Sequence, residues 1–190
     1  MTSGGRIEDL VVWLLRHAKA ATDPPPGGTD HERPLAPRGR RDAAALGLRL
    51  RAGDLGFGAA EVPELVLAST AARTTETAEK VADALGVPVD RRRRLYYGSP
   101  TDVLDELREL DDSVRSVMVV GHNPTTHSLA LELLAPGAEG ADEADGARQA
   151  ALASYPTCAV ALLRPGVARW RDLSYGSASL AGFARPPYDR

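Results

Sequence analysis

Three short runs of apolar residues, at 10–15, 65–68 and 116–120, constrain the fold of this chain more than any other feature. None of them alternates polar with apolar side chains, which is typical of strands buried on both faces of a sheet. Each run is followed by a segment with apolar residues at helical spacing, at 39–52, 71–85 and 123–134. Strands separated by helices predict a mostly parallel sheet with helices on both faces.

The rest of the chain is expected to complete a single domain. Its 190 residues fit one domain of roughly 150 residues. A short strand is predicted at 87–90, a helix from Ser99 onward, and two late strands at 159–163 and 169–173. We expect one domain over 1–190, with a core at about 10–174, a surface loop at about 136–150 and an irregular surface tail at about 175–190.

Composition excludes several classes of protein. The 23 basic and 26 acidic residues give a net charge of −3, which does not fit a nucleic-acid partner. The single cysteine, Cys158, excludes an intramolecular disulfide and a zinc site with several cysteines, and is expected to be an inert core residue. Neither an apolar run of membrane-spanning length nor a signal peptide is present, so we expect a cytoplasmic protein without a membrane partner.

Cationic and imidazole side chains follow each of the three apolar runs. Arg16 and His17 follow the first, Arg73 follows the second, and His122 follows the third. Ligands of such sheets bind beyond the carboxyl ends of the strands, so these residues are expected to converge on one anion site. Arginine forks match phosphate oxygens, and nearby arginines keep an imidazole neutral and nucleophilic.

The order of these motifs resembles the histidine phosphatase superfamily, the phosphoglycerate mutase-like fold, and its details are similar to the SixA-type phosphohistidine phosphatases. The similarity rests on segments 14–20, 33–35 with Arg38, 67–69 with Arg73, and 119–124. The resemblance implies a three-layer α/β/α fold with a mostly parallel central sheet. It also implies a phosphatase that needs no metal or organic cofactor.

The resemblance further implies roles for individual side chains. His17 would be the nucleophile that becomes phosphorylated, and three further residues would bind the transferred phosphoryl group: Arg16, Arg73 and His122. Arg33 and Asn123 would line the substrate pocket. The expected partner is a phosphorylated protein or a small phosphorylated metabolite.

One departure from the family bears on the substrate. Many members carry a carboxylic acid after the third strand–helix unit, whereas residues 94–98 here read Arg-Leu-Tyr-Tyr-Gly. A general acid contributes about 10²–10⁴ in rate, and its loss affects an alcohol leaving group most. The missing acid therefore favours a substrate with a labile P–N bond, and hence protein phosphohistidine. The alternatives are a small-metabolite phosphatase of the same superfamily and a non-catalytic phosphate-binding module.

Several other residues have simpler interpretations. His31 is expected to be solvated and His127 structural, while Asn123 is expected to cap the helix that follows it. Asp102 is expected to complete a capping box with Ser99. The arginine run 91–94 indicates a solvated or acid-paired face, with a basic rim for a phosphoprotein as the alternative. The histidines lack metal-site spacing, which disfavours a metal centre.

Overall fold

A computed structural model describes residues 10–57, 62–135 and 152–188 of the protein. The predicted loop at about 136–150 lies outside these residues. The sheet has six strands in the order β3-β2-β4-β1-β5-β6. Their bounds are β1 Val11–Arg16, β2 Leu65–Ser69, β3 Val89–Arg92, β4 Ser116–Gly121, β5 Val160–Pro165 and β6 Ala178–Ala184. The first four strands pair in parallel, and β5 and β6 are antiparallel, so the predicted mostly parallel sheet is confirmed.

Helices cover both faces of the sheet, as the three-layer prediction requires. They are α1 Pro37–Ala52, α2 Ala72–Leu85, α3 Arg94–Tyr97, α4 Pro100–Arg108 and α5 Thr125–Leu133. Leu46 of α1 and Val81 of α2 belong to one buried cluster, and Leu104 of α4 and Leu129 of α5 belong to the other. The sheet therefore separates two apolar layers.

Strand β1 explains why its sequence lacks alternation. Val12 and Leu14 pack in the cluster with α4 and α5, whereas Val11, Trp13 and Leu15 pack in the cluster with α1 and α2. Every residue of the strand before Arg16 is buried. Since both faces of β1 carry a helical layer, both sets of side chains must be apolar.

Two expectations for the end of the chain were wrong. The strand predicted at 169–173 is a 3₁₀ turn, Trp170–Asp172, because the Trp170 indole N–H donates to the Val114 carbonyl at 2.6 Å and anchors the chain there. The predicted irregular tail contains β6 instead. Its residues are weak strand formers, and the strand exists through its pairing with β5. Gly182 has no side chain where the Phe57 ring packs, since a Cβ there would lie 2.2 Å from that ring.

Within the three described ranges, no helix has the length and hydropathy needed to cross a membrane.

Candidate active site

A cleft lies beyond the carboxyl ends of β1, β2 and β4 and has a volume of about 450 Å³. It is lined by Arg16, His17, Lys19, Ala20, Arg33, Arg73, Tyr96, Tyr97, His122, Asn123 and Thr157. The six residues selected from the sequence therefore lie in one cleft. The lining within the described chain contains cations, imidazoles and phenols but no carboxylate.

Strand register brings the two histidines together. Arg16 of β1 pairs with Gly121 of β4 in a parallel ladder, and each of the two strands is followed directly by a histidine. The His17 N–H donates to the Gly121 carbonyl at 3.0 Å, which extends the ladder by one bond. The imidazole ring centroids of His17 and His122 are 5.2 Å apart.

The His17 ring is fixed in one tautomer by the main chain. Its Nδ1 lies 2.8 Å from the Ala18 carbonyl oxygen, which can only accept, so Nδ1 carries the hydrogen. Nε2 therefore keeps its lone pair. Burial lowers the pKa of His17 to about 4, and the charges of Arg73, Arg16 and Arg33 act in the same direction. At neutral pH the ring is uncharged, and the Nε2 lone pair is available to attack an electrophile.

His122 is held by Ser69, the last residue of β2. Its Nε2 lies 2.9 Å from the Ser69 hydroxyl oxygen, which also accepts the Ala71 N–H at 3.4 Å. We assign the hydroxyl hydrogen to the bond with Nε2, which leaves Nδ1–H as a donor. Burial, followed by the charge of His17, lowers the pKa of His122 to about 3. Both imidazoles are thus neutral.

Arg16 and Arg73 are oriented by carbonyl oxygens. Arg16 Nη1 donates to the Tyr155 carbonyl at 2.8 Å, and Arg73 Nη1 donates to the Asp30 carbonyl at 2.8 Å. The Nε atoms of both arginines are buried and have no hydrogen-bond partner within the described chain. Because a buried donor without a partner is costly, these two N–H groups mark where an anionic ligand fits. Burial also lowers the pKa of Arg16.

Asn123 is bound to the same carbonyl as Arg16. Its Nδ2 donates to the Tyr155 oxygen at 3.0 Å, and its buried Oδ1 has no partner among the described residues. The expectation that Asn123 caps α5 was wrong, since Pro124 is the N-cap residue and no side chain caps that helix. The Asn123 amide instead donates to the Tyr155 carbonyl, 32 positions away, so the local sequence gives no sign of this bond.

Arg33, which lines the cleft, is linked to Arg73 through Asp30, a residue that was not predicted from the sequence. Arg33 Nε donates to Asp30 Oδ1 at 3.0 Å, and Arg73 Nη2 lies 3.0 Å from Asp30 Oδ2. Partial desolvation acts in the opposite direction, but the charges and hydrogen bonds of Arg73 and Arg33 hold the pKa of Asp30 below its usual value. The spacing of Asp30 and Arg33, three residues apart around a 3₁₀ turn, was the available signal.

A second hollow adjoins the cleft across Tyr96 and Tyr97, and we call it the recess. Its volume is about 570 Å³, and its lining is Thr29, His31, Glu32, Thr70, Arg93, Tyr96 and Tyr97. His31 was expected to be solvated, but its Nε2 lies 3.0 Å from the Thr70 hydroxyl and its ring meets Tyr96 edge-on at 4.6 Å. Tyr96 also contacts His122, with centroids 5.6 Å apart.

Several residues lie outside the cleft, as predicted. Asp102 and Ser99 form the capping box of α4, and His127 Nε2 lies 2.7 Å from the Leu152 carbonyl oxygen. Cys158 is fully buried. In the run 91–94, three arginines form ion pairs: Arg91, Arg92 and Arg94. Across the described ranges, no three histidine, cysteine or acidic side chains are grouped so as to hold a metal ion.

Comparisons with known proteins agree with this arrangement. The sequence profile of the histidine phosphatase superfamily (branch 1) matches residues 12–96. An uncharacterized protein of Mycobacterium tuberculosis is 38% identical over 172 residues, covering 90% of this chain and 99% of that protein. A candidate phosphohistidine phosphatase SixA from Nakamurella multipartitia is 31% identical, with a TM-score of 0.75 over 93% of this chain and 96% of that one. The protein histidine phosphatase SixA complexed with tungstate is 25% identical, with a TM-score of 0.68 over 92% of this chain and 96% of that one.

Proposed function

The chain belongs to the histidine phosphatase superfamily, in its SixA-type branch, and from this premise we propose that it dephosphorylates protein phosphohistidine through a covalent intermediate on His17. The observation that carries the proposal is the neutral His17 ring in a cationic cleft that offers no carboxylic acid among its described lining residues. The enzyme is proposed to work in the cytoplasm and without a metal ion.

The reaction has two steps. His17 Nε2 attacks phosphorus, a new P–N bond forms, and the P–N bond to the substrate imidazole breaks while that ring takes a proton from water and leaves hydroxide. A second water then attacks the phosphorylated His17, the P–Nε2 bond breaks, and the proton that this water loses neutralises the hydroxide, so that HPO4²⁻ leaves and the neutral ring is regenerated. The bond between Nδ1 and the Ala18 carbonyl keeps Nε2 as the reacting atom in both steps.

The donors of the cleft would stabilise the charge of the transferred phosphoryl group. The unpartnered Nε–H groups of Arg16 and Arg73, together with Nδ1–H of His122, would bind its oxygens. Removing one such preorganised donor typically costs about 10²–10³ in rate. Arg33 and Asn123 are proposed to contact the substrate at the edge of the cleft.

Leaving-group chemistry favours a phosphoramidate over an alcohol ester. Among the described residues, Asp30 is the carboxylate that pairs with Arg33 and Arg73, and they keep it ionised, so it cannot donate a proton at neutral pH. An alkoxide would need such a donor, whereas an imidazole leaving group can be protonated by water. The aromatic wall of Tyr96 and Tyr97 also suits a flat ring.

The test compares a phosphohistidine peptide with a phosphoserine peptide in EDTA. We expect wild type to remove the phosphohistidine label preferentially, and His17→Ala to abolish that loss. His127→Gln is the matched control, because His127 lies outside the cleft lining. Faster turnover of phosphoserine would contradict the proposed substrate. Turnover of sugar or nucleotide phosphates alone would identify the metabolite phosphatase, and tight phosphopeptide binding without turnover would identify a binding module.

A further inference from the structure

Asp30 joins two arginines of the cleft without lining the cleft itself. Its Oδ1 lies 2.8 Å from Arg33 Nη2, and its Oδ2 lies 3.0 Å from Arg73 Nη2. Its main-chain carbonyl accepts Arg73 Nη1 at 2.8 Å. One residue therefore supplies acceptors to both guanidinium groups.

These bonds determine which N–H donor of Arg73 is left for a ligand. A guanidinium has five N–H donors, and Asp30 takes one on each terminal nitrogen of Arg73. The Nε–H of Arg73 has no partner among the described residues. The Arg73 side chain is only 8% exposed, so it has little room to turn. Asp30 thus holds Arg73 so that its Nε–H stays available to a ligand.

The same carboxylate changes the charge of the site. Four permanent cations line the cleft: Arg16, Lys19, Arg33 and Arg73. Among the described residues, Asp30 is the only acidic residue that forms an ion pair with any of these four cations. Its negative charge repels a phosphate dianion held by the same arginines, and this repulsion is strongest at low ionic strength.

We propose that Asp30 is a positioning residue with a second role, in which it orients Arg33 and Arg73 and weakens binding of the free phosphate product. This inference rests on the proposed function, since it concerns release of phosphate from the same cleft. Four cations without a counter-charge would retain a product dianion. The carboxylate offsets part of that attraction and returns the cleft to its empty state after each turnover.

The test is inorganic phosphate binding, measured by isothermal titration calorimetry at low salt. Asp30→Asn keeps an acceptor and removes the charge, and we expect phosphate to bind about three- to tenfold more tightly than in wild type. Asp30→Glu restores the charge and should return affinity toward the wild-type value. The difference between wild type and Asp30→Asn should shrink as salt is added.

Asp23→Asn is the matched control, since Asp23 is an exposed carboxylate of the same connection and makes no ion pair within the described chain. In turnover of the phosphohistidine peptide, Asp30→Asn should show stronger product inhibition, with melting temperature unchanged. Unchanged or weaker phosphate binding by a folded Asp30→Asn would overturn the inference, because a purely orienting role predicts weaker binding.

This experiment also separates the inference from the proposed function. If wild type hydrolyses the peptide but Asp30→Asn binds phosphate no more tightly, the inference alone fails. If wild type hydrolyses neither peptide while Asp30→Asn binds phosphate more tightly, the effect of Asp30 on the cleft holds and the proposed function fails.

Discussion

The cleft and the recess share Tyr96 and Tyr97, but their other side chains are held in different ways. In the cleft, main-chain carbonyls orient His17, Arg16 and Arg73. In the recess, His31 is held by the hydroxyl of Thr70 and by a ring contact, and Tyr97 is 85% exposed. Under the proposed function the cleft would hold the phosphoryl group, which is common to all candidate substrates, and we call the cleft the rigid side because main-chain carbonyls fix its side chains. The recess would meet the variable leaving group, through side-chain contacts that can adjust.

The largest expected effect is on the rigid side. Arg16→Ala should lower kcat for the phosphohistidine peptide about 10²–10³-fold, because it removes a buried donor to the phosphoryl group. Arg16→Lys should recover little, since one ammonium cannot bond the Tyr155 carbonyl and present a second donor in the guanidinium geometry. Steady-state kinetics measures both variants.

Arg38→Lys is the control for that substitution. Arg38 is an exposed arginine that pairs with Asp42 and lies outside the cleft lining, so its kcat should equal that of wild type. Full activity of Arg16→Lys would show that charge alone suffices and that the rigid geometry of the cleft is unimportant.

An intermediate effect concerns protonation of the two buried histidines. The pKa of His17 is lowered to about 4 and that of His122 to about 3. At pH 5 an ordinary histidine with a pKa of about 6.5 is almost fully protonated, whereas both of these rings should remain mostly neutral. Nitrogen-15 NMR of the imidazoles, in the absence of phosphate, measures this directly.

The same two pKa values predict how the free energy of unfolding depends on pH. Below pH 6.5 the unfolded chain binds protons that the folded rings do not, so the free energy of unfolding should decrease as pH falls toward 4. Above pH 6.5 these two residues should leave stability independent of pH. Protonation of either ring near pH 6.5 would contradict the role of burial in keeping the nucleophile neutral.

The smallest expected effect is in the recess. Tyr97→Ala should raise KM for the phosphohistidine peptide about threefold with kcat unchanged, since it removes one exposed aromatic contact to the leaving group. Inorganic phosphate should bind as in wild type, because phosphate does not reach the recess. Tyr175→Ala is the matched control, as Tyr175 is an exposed tyrosine outside both hollows. A loss of kcat in Tyr97→Ala would contradict this prediction, because it would show that Tyr97 also helps to orient the phosphoryl group.

Sequence reasoning succeeded where the information is local. Strands β1 and β4 are apolar without alternation, and the general rule that the carboxyl ends of parallel strands form the binding edge then predicted that His17 and His122 meet. It failed where the partner is distant. Strand β6 depends on pairing with β5, and the Asn123 amide depends on the Tyr155 carbonyl. The bond between Asp30 and Arg73 spans 43 residues, and no local pattern encodes it. The catalytic roles of the cleft residues stay predictions.

The carbonyl groups that orient the cleft have a consequence for how the protein can change over generations. The acceptors at positions 18, 30 and 155 belong to the peptide backbone, so replacing the side chain at any of them leaves the acceptor in place. A substitution at position 18 therefore keeps the acceptor that fixes the His17 ring, whereas one at position 30 keeps the carbonyl bond to Arg73 and loses the carboxylate bonds. Side chains around the cleft can therefore change over generations while these three carbonyl acceptors stay in place, because only a shift of the backbone would remove them.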